Sequence, residues 1–142
     1  MAINNTESTV IIYALLSSSS ELAALVGDRI FPMRAPQNAN PNCITFMEIS
    51  VSPVGIKGYA KNEQARVQID VFAPTQSNAG HIAKLIRKAM EPILPATIGG
   101  VFTQVVEFDD QQNMIEESAE DTGMYRISQD YLIYYNRTAG KI

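Results

Sequence analysis

The chain has 142 residues, 46% of them hydrophobic and 18% charged, a formal net charge of -4 and one cysteine. That length and balance describe one folded domain able to bury a core without metal or disulfide support, and exclude a largely disordered chain. The negative charge argues against nucleic acid as a primary partner, since affinity for a phosphate backbone comes from clustered Lys and Arg.

Cys43 is the single cysteine, which rules out an intramolecular disulfide and fits a protein made in a reducing cytoplasm. The first residues carry no basic segment of a cleavable signal, and the longest apolar run, 10–16, falls far short of the roughly 20 residues that span a bilayer. The expectation is a soluble protein with no membrane partner.

Thr6 caps a predicted helix over 7–16, with Glu7 in the first turn where the macrodipole favours it. Val10, Ile11, Ala14 and Leu15 form its stripe, but Ile12, Tyr13 and Leu16 leave little polar face. The helix is therefore either deeply buried or shared with another subunit. Ser18 and Glu21 have capping-box spacing for a short helix over 22–26, which Gly27 ends.

Residues 28–32 read as a short extended segment, with Pro32 at an edge or at the end of pairing. Residues 35–42 are a loop rich in Pro and Asn. From Cys43 to Val51 the chain alternates, with Cys43, Thr45, Met47, Ile49 and Val51 on one side, a strand. Residues 52–62 connect it to the next element as a projecting tip.

Ala65, Val67, Ile69, Val71 and Ala73 alternate with Arg66, Gln68 and Asp70, a half-buried strand interrupted only by Phe72. Behind it Ala79, Ile82, Ala83, Ile86, Ala89, Met90 and Ile93 recur at helical spacing, with Leu85 at the edge of the stripe, predicting a long helix over about 75–91. Pro92 and Pro95 stop it, and Gly99-Gly100 turns the chain into a strand over 101–108 with Phe102, Val106 and Phe108 on one face.

Residues 109–123 form an acid-rich loop: Asp109, Asp110, Glu116, Glu117, Glu120 and Asp121 occur without a Lys or Arg among them, and such a cluster resists burial. Residues 124–135 close the domain as a strand with Tyr125, Ile127, Tyr131, Ile133 and Tyr135 on one face. Leu132 and Tyr134 make its second half apolar on both faces, so something must cover both sides there. The tail from 136 is expected to fray. The fold these elements make is α+β, with two layers: a mostly antiparallel sheet of four to five strands, and the long and N-terminal helices packed on it.

Catalytic chemistry finds little to use. His81 sits on the polar side of its helix, while Cys43 points with the core residues of its strand, so the two make no nucleophile pair. One His and one Cys leave a metal site short of ligands, and Asp109-Asp110-Gln111-Gln112-Asn113 lacks the glycine and terminal glutamate of a calcium loop. Gly55-Ile56-Lys57-Gly58 matches a nucleic-acid clamp pattern but joins two strands, where such clamps join two helices; it reads as a turn. Lys84, Arg87 and Lys88 are an ordinary helix exterior. No cofactor or metal is expected, and no enzyme activity.

Five segments, in order, resemble the tail-completion, or tail-terminator, proteins of long-tailed bacteriophages. They are Tyr13-Ala14-Leu15-Leu16, residues 22–32, Arg34-Ala35-Pro36-Gln37, residues 65–73 and residues 121–131. These are structural rather than catalytic words, and they span most of the chain. The Asn-rich 37–42 stretch and the acidic loop fall where such families vary.

The resemblance implies a virion protein, assembled in the host cytoplasm, whose copies form a ring, usually six-fold. The ring would sit on the last ring of tail-tube protein and dock to the head connector proteins. Spare apolar surface at Ile12, Tyr13, Leu16, Leu132 and Tyr134 would then serve contacts between copies. Acids at Asp109, Asp110, Glu116, Glu117 and Glu120 would face the lumen or an axial neighbour and keep passing DNA from sticking, with no sequence-specific binding. The competing expectations are a head-completion or connector adaptor of the neck and a small intracellular binding module.

Overall fold

A computed structural model describes residues 6–32, 42–54, 62–115 and 125–137. Three helices, α1 (Glu7–Ser17), α2 (Ser20–Val26) and α3 (Gln76–Ala89), accompany six strands: β1 (Ile30–Pro32), β2 (Cys43–Val54), β3 (Asn62–Ala73), β4 (Ala96–Ile98), β5 (Val101–Ile115) and β6 (Tyr125–Asn136). They form one sheet in the order β1-β2-β3-β6-β5-β4. The class is α+β as expected, but the sheet has six strands and is mixed, because β1 runs parallel to β2 while every other pair is antiparallel. The strand beyond those expected is β4, 3 residues long and too short for alternation to register in sequence; β1 is the short extended segment expected at 28–32.

Paired strands β3 and β6 form the centre, and their alternation sets the two faces of the whole sheet. Ala65, Val67, Ile69 and Val71 stand opposite Ile133, Tyr131, Gln129 and Ile127, and all are buried under the helices. Arg66, Gln68, Asp70 and Phe72 stand opposite Leu132, Asp130, Ser128 and Arg126 on the other face. α3 lies across β3 and β6, burying Ala79, Ile82, Ala83, Leu85 and Ile86. Its N-cap is Thr75, whose side chain accepts from the Asn78 N–H at 3.1 Å. The helix ends at Ala89, short of the predicted 91, and Ile93 is 93% exposed rather than part of the stripe.

α1 resolves the puzzle of a helix with almost no polar face. It touches β1 and β2 near one edge of the sheet and β4 and β5 near the other, so the sheet curls around it. Ser8, Ile11, Ile12, Leu15 and Leu16 are all buried. Gly99, with φ at +60°, turns β4 into β5 directly against α1: a Cβ there would lie 2.7 Å from Val10 Cγ1 and 3.5 Å from Ala14 Cβ. The caps differ in detail from expectation. The Thr6 side chain makes no capping bond, and Ser19 rather than Ser18 caps α2, accepting from the Leu22 N–H at 3.2 Å.

Two register changes alter the faces read from sequence. In β2 the core-facing residues are Ile44 and Phe46, opposite Val71 and Ile69, while Cys43, Thr45 and Met47 stand on the helix-free face. The irregularity between Glu48 and Ser50 then swaps the parity. In β5, shifts between Thr103 and Val105 and between Phe108 and Asp110 keep Val106 and Phe108 on the core face but turn Phe102 to the other. β5 also runs on to Ile115, so Asp109 and Asp110 belong to a strand and not to a loop. They are exposed at the sheet's margin, where a carboxylate keeps its water.

Candidate assembly surface

The helices leave one face of the sheet uncovered, although Cys43, Thr45, Asp70 and Ser128 on it are buried among their neighbours, and its side chains divide into two halves along the strands. Toward the β5–β6 connection the face is charged. Arg66 Nη1 donates to Asp109 Oδ2 at 2.7 Å and lies 3.7 Å from Asp130 Oδ2. Arg126 Nη2 donates to Asp70 Oδ2 at 2.9 Å, and Gln68 Nε2 reaches both Asp70 oxygens at 3.1 Å.

Asp110 stands directly across from Asp130, a like-charge pair that costs stability. A recess of about 140 Å³ lies between them, lined by Gln68, Asp110, Gln112, Ser128 and Asp130. Burial pushes the Asp130 carboxyl up; Arg66 opposes the rise, and Asp110, Asp109 and Asp70 add to it. The hydrogen bond to Asp109 holds the Arg66 guanidinium above its usual range. Acids outnumber cations here, and both are largely satisfied by one another, giving a polar surface with an acidic bias rather than a reactive centre.

At the other end apolar side chains appear on the same face among polar ones, with Gln104 Nε2 donating to Asn62 Oδ1 at 3.1 Å and to Asn136 Oδ1 at 2.8 Å. Leu132 and Tyr134 are half-buried, standing opposite Glu107 and Val105 of β5. Phe102 and Val105 add exposed surface, at 41% and 45%. Sequence reading missed Phe102 and Val105, because the β5 irregularity that turns them outward leaves no mark in composition.

The expected contact residues of α1 come apart in the structure. Ile12 and Leu16 are 0% exposed, enclosed by the curled sheet, and offer nothing to another copy. Tyr13 is 47% exposed, its ring tilted against Phe46 with centroids 6.3 Å apart. Glu116, Glu117 and Glu120, like the 55–58 turn and most of the 35–42 loop, lie outside the described residues.

Elsewhere the side chains that carry chemistry are kept apart. Cys43 is buried on the helix-free side; burial raises its thiol, with Arg29 opposing. His81 is exposed on α3, on the helical side. Among the described residues no group of three His, Cys, Asp or Glu is arranged to hold a metal.

Under α3, buried Gln129 donates from Nε2 to the Ala83 carbonyl at 3.0 Å and to Gln111 Oε1 at 2.9 Å, and accepts from the Tyr131 hydroxyl at 2.8 Å. Burial raises the Tyr131 hydroxyl, with Arg87 opposing. This polar set is fully used within the core. An open cavity of about 430 Å³ beside α3 has Lys84, Arg87, Gln111 and Asn113 on its walls and no acid–base pair. Among the described residues no single helix is long and apolar enough to cross a membrane; α1 and α2 together would be, but they are bent by 86°.

The family described as tail completion protein gp17 matches residues 10–136. Among solved structures, a chain of the virion of a native gene transfer agent particle is similar in fold, with a TM-score of 0.74 and 18% identity over 95% of this chain and 98% of that one. No curated protein matches the chain in sequence.

Proposed function

The chain belongs to the phage tail completion protein family, which makes it a structural protein of the virion's tail and neck, and on that premise we propose that it caps the tail tube. Copies form a ring, six-fold as the resemblance implies, on the last ring of tube protein. The ring stops elongation and presents the surface to which the head connector proteins dock. The protein acts by shape and contact, without catalysis, after assembly in the host cytoplasm.

The observation that carries this reading is the bare sheet face. The core is complete beneath the helices, yet Phe102, Val105, Leu132 and Tyr134 gather on the opposite side. Large apolar side chains left uncovered on one face, interleaved with polar ones, suit a contact surface. Tyr13, Leu132 and Tyr134, joined by Phe102 and Val105, are the apolar surface offered to neighbouring subunits, copies or tube protein, in this reading; Ile12 and Leu16 drop out because they are enclosed.

Asp109 and Asp110, with Glu116, Glu117 and Glu120 beyond the end of β5, face the lumen or an axial neighbour and repel passing DNA. Reversing Glu116 and Glu117 to Lys impairs assembly or DNA passage; normal phage yield from that mutant removes the lumen assignment. Removing the gene tests the larger reading. Overlong or unjoined tails are expected, whereas heads that leak DNA would identify a head-completion protein instead.

A further inference from the structure

We infer that neighbouring copies join edge to edge, with β5 of one protomer pairing antiparallel with β2 of the next, so that the sheets run on through the ring; the inference rests on the ring reading above. Both outer edges of the sheet are mostly open. β4 covers β5 only at Val101, Phe102 and Thr103, and β1 covers β2 only at Ile44, Thr45 and Phe46. Among the described residues no strand lies outside 104–115 on one side or 47–54 on the other. Such edges are templates for another chain.

Strand polarity selects which edges meet. β2–β3, β3–β6 and β6–β5 are each antiparallel, so β5 runs opposite to β2. A copy rotated about an axis along the strands, without inversion, therefore sets its β2 beside β5 in the antiparallel sense. The two edges are different surfaces, so the contact is heterologous and closes into a ring when the rotation divides the circle.

Side chains agree with that choice. Following the register across the sheet, Ser52, Gln64, Tyr134 and Val105 share one row; Ser50, Arg66, Leu132 and Glu107 share another; Met47, Gln68, Asp130 and Asp110 share a third. Carried on into the next copy, Val105 comes to Ser52, Glu107 to Ser50 and Asp110 to Met47, and no acid on the bare face meets an acid. On the helix side, the exposed Val51 shares its row with Ala65, Ile133 and Val106, so Val106 comes to Val51 of the next copy. A two-fold β5–β5 pairing centred on this segment would instead bring Glu107 of each copy against Asp110 of the other, which is unfavourable.

The test is a cysteine pair, Ser52→Cys with Val105→Cys, in the full chain assembled with tail tubes and oxidised. Within one protomer these positions sit on opposite edges, three strand spacings of about 4.8 Å apart, beyond the roughly 7 Å Cα separation a disulfide tolerates. Bonds therefore form only between copies. A second pair, Ser50→Cys with Glu107→Cys, reads the neighbouring row.

A ladder of covalent oligomers on a non-reducing gel, ending at the ring size, is expected from a pair but not from either single variant. Dimers from a single variant would overturn the inference in favour of a two-fold edge. Rings on tube ends with neither pair crosslinking would overturn it and leave the capping reading standing. Crosslinked ladders beside bare-ended tubes would uphold the pairing and overturn the capping reading, and no ring with no ladder would overturn both.

Discussion

α1 and the second half of β6 present the same problem in sequence, an apolar segment with too little polar face, and the protein solves it in two different ways. α1 is enclosed: the sheet curls until its two ends both touch the helix, and Ile11, Ile12 and Leu16 keep no surface. β6 is not. Ile133 and Tyr135 go into the core, while Leu132 and Tyr134 stay half-buried on a bare face beside exposed Phe102 and Val105. Apolar surface that looks surplus in sequence is thus left uncovered only where no element of the same chain can reach it, and topology, not hydrophobicity, decides which case applies.

Substitutions separate the two regions. Ile12→Ala removes buried side chain from an enclosed site and is expected to cost about 2–5 kcal/mol in urea unfolding of the isolated chain. A cost near zero would mean α1 is not sheathed. Gln129→Leu strips the Tyr131 hydroxyl of its acceptor and the Ala83 carbonyl of its side-chain donor, costing about 1–3 kcal/mol by the same measurement.

Gly99→Ala forces a side chain into the left-handed region against Val10 and costs about 1–2 kcal/mol. On the bare face the pattern inverts. Val105→Ser changes the stability of the isolated chain by no more than about 0.5 kcal/mol, yet is expected to weaken retention on tube ends in co-sedimentation. Equal retention would remove Val105 from the contact.

The smallest effect concerns pH. Burial and neighbouring acids raise the Asp130 carboxyl above its ordinary value of 3.8, so the folded state binds the proton more tightly than the unfolded chain does. The ionised carboxylate therefore costs stability above its folded value. That cost falls away as pH drops through the folded value toward 3.8. Asp130→Asn abolishes this dependence, and at neutral pH alters stability by no more than about 0.5 kcal/mol. Parallel pH profiles for the two proteins, followed by thermal denaturation, would contradict the assignment.

Much of the architecture was legible because the chain is locally consistent. The β3–α3 unit shows in the alternation of residues 65–73 and in the stripe from Ala79 to Met90, and the Gly27 and Gly99-Gly100 turns stand where the sequence puts them. What escaped reading was set by distant partners. β4 exists because a longer strand lies beside it, and the irregularities in β2 and β5 reassign Cys43, Ile44 and Phe102 between faces. Asp109 looked like loop because acids resist burial; as a margin residue paired to Arg66 it meets no such penalty. Tyr13, Leu132 and Tyr134 were identifiable as spare surface from sequence, whereas Phe102 and Val105 needed the register.

The central claim, that this surface closes a ring over the end of the tail tube, is tested most directly by electron microscopy of tail tubes incubated with the purified protein. A ring seated on one end of each tube, with tubes of fixed length, is the predicted image. Tubes that keep growing with both ends bare, in the presence of folded protein, would contradict it.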